Sequence, residues 1–268
     1  MIVACAQFDP SKGERDLNLD AVEALVSGLN ADLVVLPELF ASGYFFDSTD
    51  QARALAEPVQ DSPTVRRVEA WARSSGATYV AGLPERDGER LYNSAVVVTP
   101  RGLLGTYRKT HLYYEEALHF APGDTGFEVW TVTGRSGTPY RLGVMVCFDW
   151  FFPEAARTLA ARGAEVIAHP SNLVLPHCPT SMPVRALENG VFTATANRTG
   201  SETNGRETLT FIGQSVICSP RAEVLAKAAG YGDAVLTAEI DLADARKSAL
   251  NAYNDRRTDR RPAFYDQS

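Results

Sequence analysis

The chain is poor in cysteine, and its four thiols, Cys5, Cys147, Cys178 and Cys218, lie far apart with no CxxC pair. They read as free thiols of a reducing cytoplasm, not as a disulfide framework. No apolar run approaches the roughly 18 residues that a membrane span needs. The opening Met1-Ile2-Val3-Ala4-Cys5-Ala6-Gln7 has neither the basic start nor the length of a signal peptide. No basic cluster stands out, and the net charge is -7. Nucleic acid and an anionic membrane surface are therefore not expected partners. Neither GxGxxG nor GxxxxGK(S/T) occurs, which removes the common nucleotide-binding loops. Histidine is scarce, and His111, His119, His169 and His177 show no HxxxH or HxH spacing, so no metal site is expected. Pro170, Pro176 and Pro179 around His169, His177 and Cys178 point to a turn-rich loop, not a ligand cluster.

What remains is an ordinary globular composition, 45% apolar and 22% charged, in 268 residues. The order of elements is informative. Residues 2–8 and Leu33-Val34-Val35-Leu36 read as buried strands flanking a helix over Asp16 to Asn30. Ala41 to Asp50 reads as a loop rich in aromatics. Ser62-Pro63 opens a helix that Gly76 closes. Strands follow over 78–83, 93–99 and 103–107, then an irregular stretch over 112–126 that contains Pro122-Gly123-Asp124. The second half repeats the pattern: a hairpin over 127–146, a helix from Pro153, a strand at Glu165 to Ala168, a short helix Pro183 to Glu188, and strands over 191–196, 211–218, 223–226 and 234–240. Asn197 to Glu207 reads as a surface loop, and Leu242 to Leu250 as a last helix.

The two halves thus carry the same succession of elements. The hairpin turn Thr99-Pro100-Arg101-Gly102 answers Ser219-Pro220-Arg221-Ala222. Two such halves can bury their sheets face to face with helices outside. The expectation is an α/β fold: an αββα sandwich of two stacked mixed sheets, with pseudo-twofold internal symmetry. Residues 1–250 are expected to form one domain and 251–268 a C-terminal tail. Ligands bind beyond the carboxyl ends of strands in α/β sheets. Glu38, Lys109 and Cys147 all follow strand ends, so a twofold arrangement brings them to one cleft.

The stretch from Arg141 to Glu154 is the centre of the reading. It is an apolar strand that stops at Cys147, with an aromatic turn and then a helix opened by Pro153. Together, Leu36-Pro37-Glu38-Leu39, Tyr107-Arg108-Lys109-Thr110-His111-Leu112 and Gly143-Val144-Met145-Val146-Cys147-Phe148-Asp149 resemble the three signatures of the nitrilase superfamily of carbon–nitrogen hydrolases, in family order and spacing. The stretch from Cys147 to Asn189 resembles the short bacterial and archaeal amidase-like members. The resemblance implies the αββα sandwich, a Glu38–Lys109–Cys147 triad and no cofactor. It also implies a homodimer or higher homo-oligomer whose C-terminal tail crosses to the partner. Glu116 sits where the family carries a second glutamate, although Glu115 beside it leaves open which of the two faces inward.

Amide hydrolysis needs a nucleophile, a base and stabilisation of an oxyanion. Cys147 is expected to attack the carbonyl carbon, and Glu38 to move the proton. Lys109 and the backbone N–H of Phe148 are expected to stabilise the oxyanion. Tyr44, Tyr113, Phe148, Trp150 and Asn172 are the expected substrate-binding residues, with a small, largely neutral amide as substrate. Asp149, where true nitrilases usually carry Glu, leans the reading towards amides. Arg185 could hold a substrate carboxylate, but its spacing from Glu188 favours an internal ion pair. The alternatives are a nitrilase or N-carbamoyl hydrolase with the same triad, a non-catalytic binding module, and a Cys–His hydrolase using His111 or His169.

Overall fold

The computed structural model describes residues 1–265. Two six-stranded sheets stack on one another. The first half begins with β1 (Ile2–Gln7), α1 (Arg15–Val26), β2 (Leu33–Val35), α2 (Thr49–Leu55) and α3 (Pro63–Ser75). It continues through β3 (Thr78–Asp87), β4 (Arg90–Thr99), β5 (Gly102–Arg108) and the single turn α4 (Glu116–His119). The second half holds β6 (Val129–Thr133), β7 (Pro139–Val144), α5 (Pro153–Ala161), β8 (Val166–Pro170), α6 (His177–Asn189) and β9 (Phe192–Ala196). The small hairpin β10 (Ser201–Thr203) and β11 (Thr208–Thr210) follows, then β12 (Val216–Cys218), β13 (Val224–Lys227), β14 (Ala234–Glu239) and α7 (Leu242–Arg246).

Strand order makes the internal symmetry explicit. One sheet runs β14-β1-β2-β3-β4-β5 and the other β6-β7-β8-β9-β12-β13. In each, three central strands are parallel and are flanked by antiparallel ones. The pseudo-twofold expected from element order is therefore a property of the sheets.

The apolar runs are continuous because the strands are buried on both faces. Val3, Cys5, Leu33, Val35, Val80, Ala95 and Val97 point between the sheets, against residues such as Val144, Val166 and Ala168. The alternate residues Ala4, Ala6, Val34, Leu36, Tyr79, Ala81, Val96 and Val98 point outward onto Leu19 and Val22 of α1 and Val65, Val68 and Trp71 of α3. A third cluster, with Tyr44, Phe45, Phe46, Ala52 and Phe211, covers the end of the sandwich where the site lies. All four cysteines are free and buried. Among the described residues no helix is long and apolar enough to cross a membrane.

Three local expectations are corrected. The aromatic loop is followed by α2, which the sequence reading passed over, and Ser48 caps it by accepting from Gln51 N–H. The helix expected from Pro183 begins at His177, so Pro183 lies inside it. Pro179 falls in the first turn, whose N–H groups have no intrahelical acceptor. The burial of Cys178, Met182 and Ala186 then offsets the bond that Pro183 cannot make. Finally, the stretch from Asn197 is a surface loop only in part. Asn197 and Arg198 are fully buried, and Arg198 pairs with Asp9 and Glu202 before the β10–β11 hairpin.

Candidate active site

Glu38 follows β2 after Leu36 and Pro37, on a loop that passes directly over β3. A Cβ at Gly82 of β3 would lie 2.6 Å from Glu38 Cα and from Leu39 N. Glycine is thus required there by close approach. Leu39 itself takes φ 49°. Lys109 directly follows β5, and its backbone is clamped. Its N–H donates to Asn93 O, and its carbonyl accepts from Gly123 N–H, both at 2.8 Å. A Cβ on Gly123 would fall 2.0 Å from Arg108 O, which explains the Pro122-Gly123-Asp124 turn.

The side chains of these segments meet in a closed polar cluster. Lys109 Nζ donates to Glu38 Oε1 and Glu116 Oε1, each at 2.7 Å. Asn93 Nδ2 donates to Glu38 Oε1 at 2.6 Å and reaches Glu116 Oε2 at 3.4 Å. Tyr44 OH donates to Glu116 Oε1 at 2.6 Å. Glu116 therefore faces inward, whereas Glu115 turns out to Arg206 and Asn204. Among the described residues Glu38 Oε2 is buried with no hydrogen-bond partner. Burial raises the Glu38 carboxyl to about 7, against the opposing charge of Lys109 and with a further push from Glu116. Burial also works against the Lys109 ammonium, but Glu116 and Glu38 outweigh it and hold the proton more tightly than on an ordinary lysine.

Cys147 enters from the other sheet. It opens a single-turn 3-10 helix, Cys147–Phe151, at φ 41°, in the left-handed region that side chains disfavour. Asp149 closes this turn: its Oδ2 accepts from Val146 N–H at 2.8 Å and from Tyr107 OH at 2.7 Å. Its Oδ1 accepts from His111 N–H at 3.1 Å and lies 2.7 Å from His111 Nδ1. The side chain is fully buried, so Asp149 shapes the turn and does not face a substrate. Asp149 therefore carries no preference for amides over nitriles. Burial pushes the Cys147 thiol well above its usual value, Glu38 adds to this, and the Lys109 charge opposes it. Asn172 Nδ2 reaches across to Glu38 O at 2.9 Å.

A cavity of about 70 Å³ opens on Cys147. Tyr113, Phe148, Trp150 and Asn172, four of the expected substrate-binding residues, line it. The fifth, Tyr44, is held on Glu116 and does not line this cavity. Phe151, Leu173, Val174, Leu175 and His177 complete the wall and were not foreseen. Asn93 was also missed. Its only signal was a lone amide at the start of an otherwise apolar strand.

A sequence profile described as carbon-nitrogen hydrolase matches residues 2–249. A protein named nitrilase from Pyrococcus abyssi is 48% identical over 266 residues, covering 98% of both chains. N-carbamoylputrescine amidase of Arabidopsis thaliana is 32% identical, covering 99% of this chain and 94% of its own. Among solved structures, a mutant amidase from Nesterenkonia sp. AN1, with acrylamide added at its active-site cysteine, superposes with TM-score 0.81. It is 29% identical, and the match covers 98% of this chain and 97% of that one. The chain belongs to the carbon–nitrogen hydrolase family.

In this carbon–nitrogen hydrolase the two histidines weighed as a base, His111 and His169, are engaged elsewhere. His111 is bound to Asp149, and His169 Nε2 lies 2.9 Å from the backbone oxygen of Cys147 with Nδ1 3.0 Å from Thr195 Oγ1. Both His169 ring nitrogens thus face partners other than the thiol, which disfavours a Cys–His pair. Arg185 pairs with Glu188 at 3.1 Å and donates to Trp150 O at 3.2 Å, as the internal ion pair requires.

Proposed function

We propose that this hydrolase is an amidase acting on small neutral carboxamides through a thioester on Cys147. The observation that carries the reading is the buried Glu38 Oε2, unpartnered among the described residues, on a carboxylate held by Lys109 and Asn93. In this mechanism Glu38 takes the Sγ proton as sulfur bonds to the carbonyl carbon. The carbonyl π pair moves onto oxygen, where Lys109 Nζ–H and Phe148 N–H stabilise it. As the C–N bond breaks, Glu38 returns the proton to nitrogen and ammonia leaves. Water then attacks the thioester with Glu38 again as base, releasing the carboxylic acid and the thiol. Glu116, fixed by Tyr44 and Asn93, holds Lys109 in place. Phe148 is the second residue of a short helix whose leading N–H groups have no intrahelical acceptor, so its N–H is available.

Tyr113, Phe148, Trp150 and Asn172 are the proposed substrate-binding residues. Among the described residues the cavity wall offers no carboxylate for an amine tail and no guanidinium for an acid, which favours neutral amides over carbamoyl amines or amino acids. Nitrile hydrolysis is the second reading, favoured by the name of the 48% identical relative. Purified protein fed propionamide or propionitrile separates the two. The account expects ammonia and propionate from the amide, with turnover falling by on the order of 10³-fold or more in Cys147→Ala and Lys109→Ala. Activity on the nitrile alone would establish the second reading, and an active Lys109→Ala enzyme would overturn the triad.

We further propose that the chain works as a homodimer in a reducing cytoplasm, with the tail from residue 251 as an arm at the interface; its last residues, 266–268, lie outside the described residues. Four free thiols support the compartment. Exposed Val184 and Leu187 on α6, Leu250 just before the tail, and Tyr253 and Phe264 on it support the assembly.

A further inference from the structure

Resting on the amidase reading, we propose that His169 is a positioning residue for the oxyanion site: by gripping the Cys147 carbonyl it fixes the direction of the Phe148 N–H. The carbonyl of Cys147 and the N–H of Phe148 belong to one planar peptide group and point in opposite directions. Whatever holds one therefore aims the other. His169 Nε2 lies 2.9 Å from that carbonyl oxygen, and the pair is buried. A carbonyl only accepts, so Nε2 carries the proton and Nδ1 is the acceptor. Thr195 Oγ1, 3.0 Å from Nδ1, supplies the matching donor. His169 and Thr195 lie on β8 and β9 and are register partners. Two central strands of the second sheet thus fix the ring and its tautomer.

The grip is needed because the peptide it holds is strained. Cys147 at φ 41° sits where the backbone does not stay unaided, and the turn after it is one 3-10 turn. Asp149 secures the peptide before Cys147 by donating its N–H to Val146 O, and the one before that through Val146 N–H. His169 secures the peptide after Cys147. The base is held separately, by Asn93, Lys109 and the Asn172 side chain. This division has a consequence. Loss of the His169 grip misaims the oxyanion donor while leaving the thiol and its base in place.

The two roles separate when one reaction needs an oxyanion site and another does not. Thioester formation from propionamide needs it. Transfer of a methylthio group from methyl methanethiosulfonate does not: sulfur displaces sulfur, a Cys147–S–S–CH3 disulfide forms, and methanesulfinate leaves with the thiol proton. In His169→Asn the amide ends near the former Nδ1, keeping Thr195 but not the Cys147 carbonyl. The expected result is a kcat lower by on the order of 10²-fold with KM little changed, while Cys147 is labelled at the wild-type rate by mass spectrometry. His169→Gln, which extends about as far as Nε2, recovers part of kcat. Should His169→Asn fail to fold, Thr195→Val reads the same split at smaller size. Turnover equal to wild type in the folded variants, or turnover and labelling falling together, overturns the assignment. Cys147→Ala is the control on the reading beneath. Ammonia release that survives it removes the nucleophile itself, whereas an inactive Cys147→Ala beside a fully active His169→Asn removes only the role of His169.

Discussion

In the proposed mechanism the proton economy of the site rests on Glu38. A carboxyl raised to about 7 is a base of useful strength near neutrality, where an ordinary glutamate would bind a proton too weakly. The base form is the carboxylate, so kcat/KM should rise as pH increases through about 7. Asn93 Nδ2 donates to Glu38 and favours its charged form. In Asn93→Ala the acid limb of the kcat/KM profile should therefore move to higher pH, and a limb that stays in place or moves down contradicts the assignment of Glu38. Glu38, Lys109 and Cys147 stand out in the sequence as candidates because each lies just past a strand end in a recognisable signature. Asn93 and the role of Tyr44 do not, because their contacts join residues 55 and 72 positions away, a matter of packing. The choice between Glu115 and Glu116 depended on the phase of one turn, which no local pattern fixes.

At the scale of elements, strands read well and loops read badly for one physical reason. A strand buried on both faces must be apolar throughout, so β1, β2, β8 and β9 announced themselves. The Asn197 stretch misled because its polar residues are satisfied by partners distant in sequence. Arg198 bonds Asp9 and Pro10 O, and Glu202 accepts from the N–H groups of Tyr44 and Phe45. That pairing makes a polar segment a buried buttress of the loop that carries Tyr44. The crossing of β3 beneath the Glu38 loop gives a direct test. Gly82→Ala puts a methyl where only 2.6 Å separates it from Glu38 Cα, so backbone must move. The variant should melt lower by several degrees, about 1–3 kcal/mol of overpacking, and should lose most of its amidase activity. Unchanged activity would show that the base tolerates displacement.

As a whole molecule, the chain divides its site between two related sheets. Glu38 and Lys109 come from the first, Cys147 from the second, and Asn172 Nδ2 bonds Glu38 O across the join. Neither half holds a complete site, so the stacking of the sheets is itself a condition of activity. The doubled order of elements made this architecture legible before any contact was known, whereas the return of β14 to pair with β1 needed the structure. The tail is tied to the body through Arg256, which donates to Lys247 O at 2.8 Å, and Arg257, which donates to Ala245 O at 3.2 Å. Its apolar side chains remain exposed. A chain ending at Leu250 should sediment as a monomer where the full chain sediments as a dimer, and identical sedimentation would remove the arm from the assembly.

The account stands on a covalent acyl group carried by Cys147. Intact-mass spectrometry of the enzyme quenched during turnover of propionamide tests this most directly. The predicted spectrum shows a population heavier by the amide less ammonia, mapped to the peptide containing Cys147 and absent from Cys147→Ala. Ammonia released by an enzyme that never carries this mass, or the same adduct on Cys147→Ala, would contradict it.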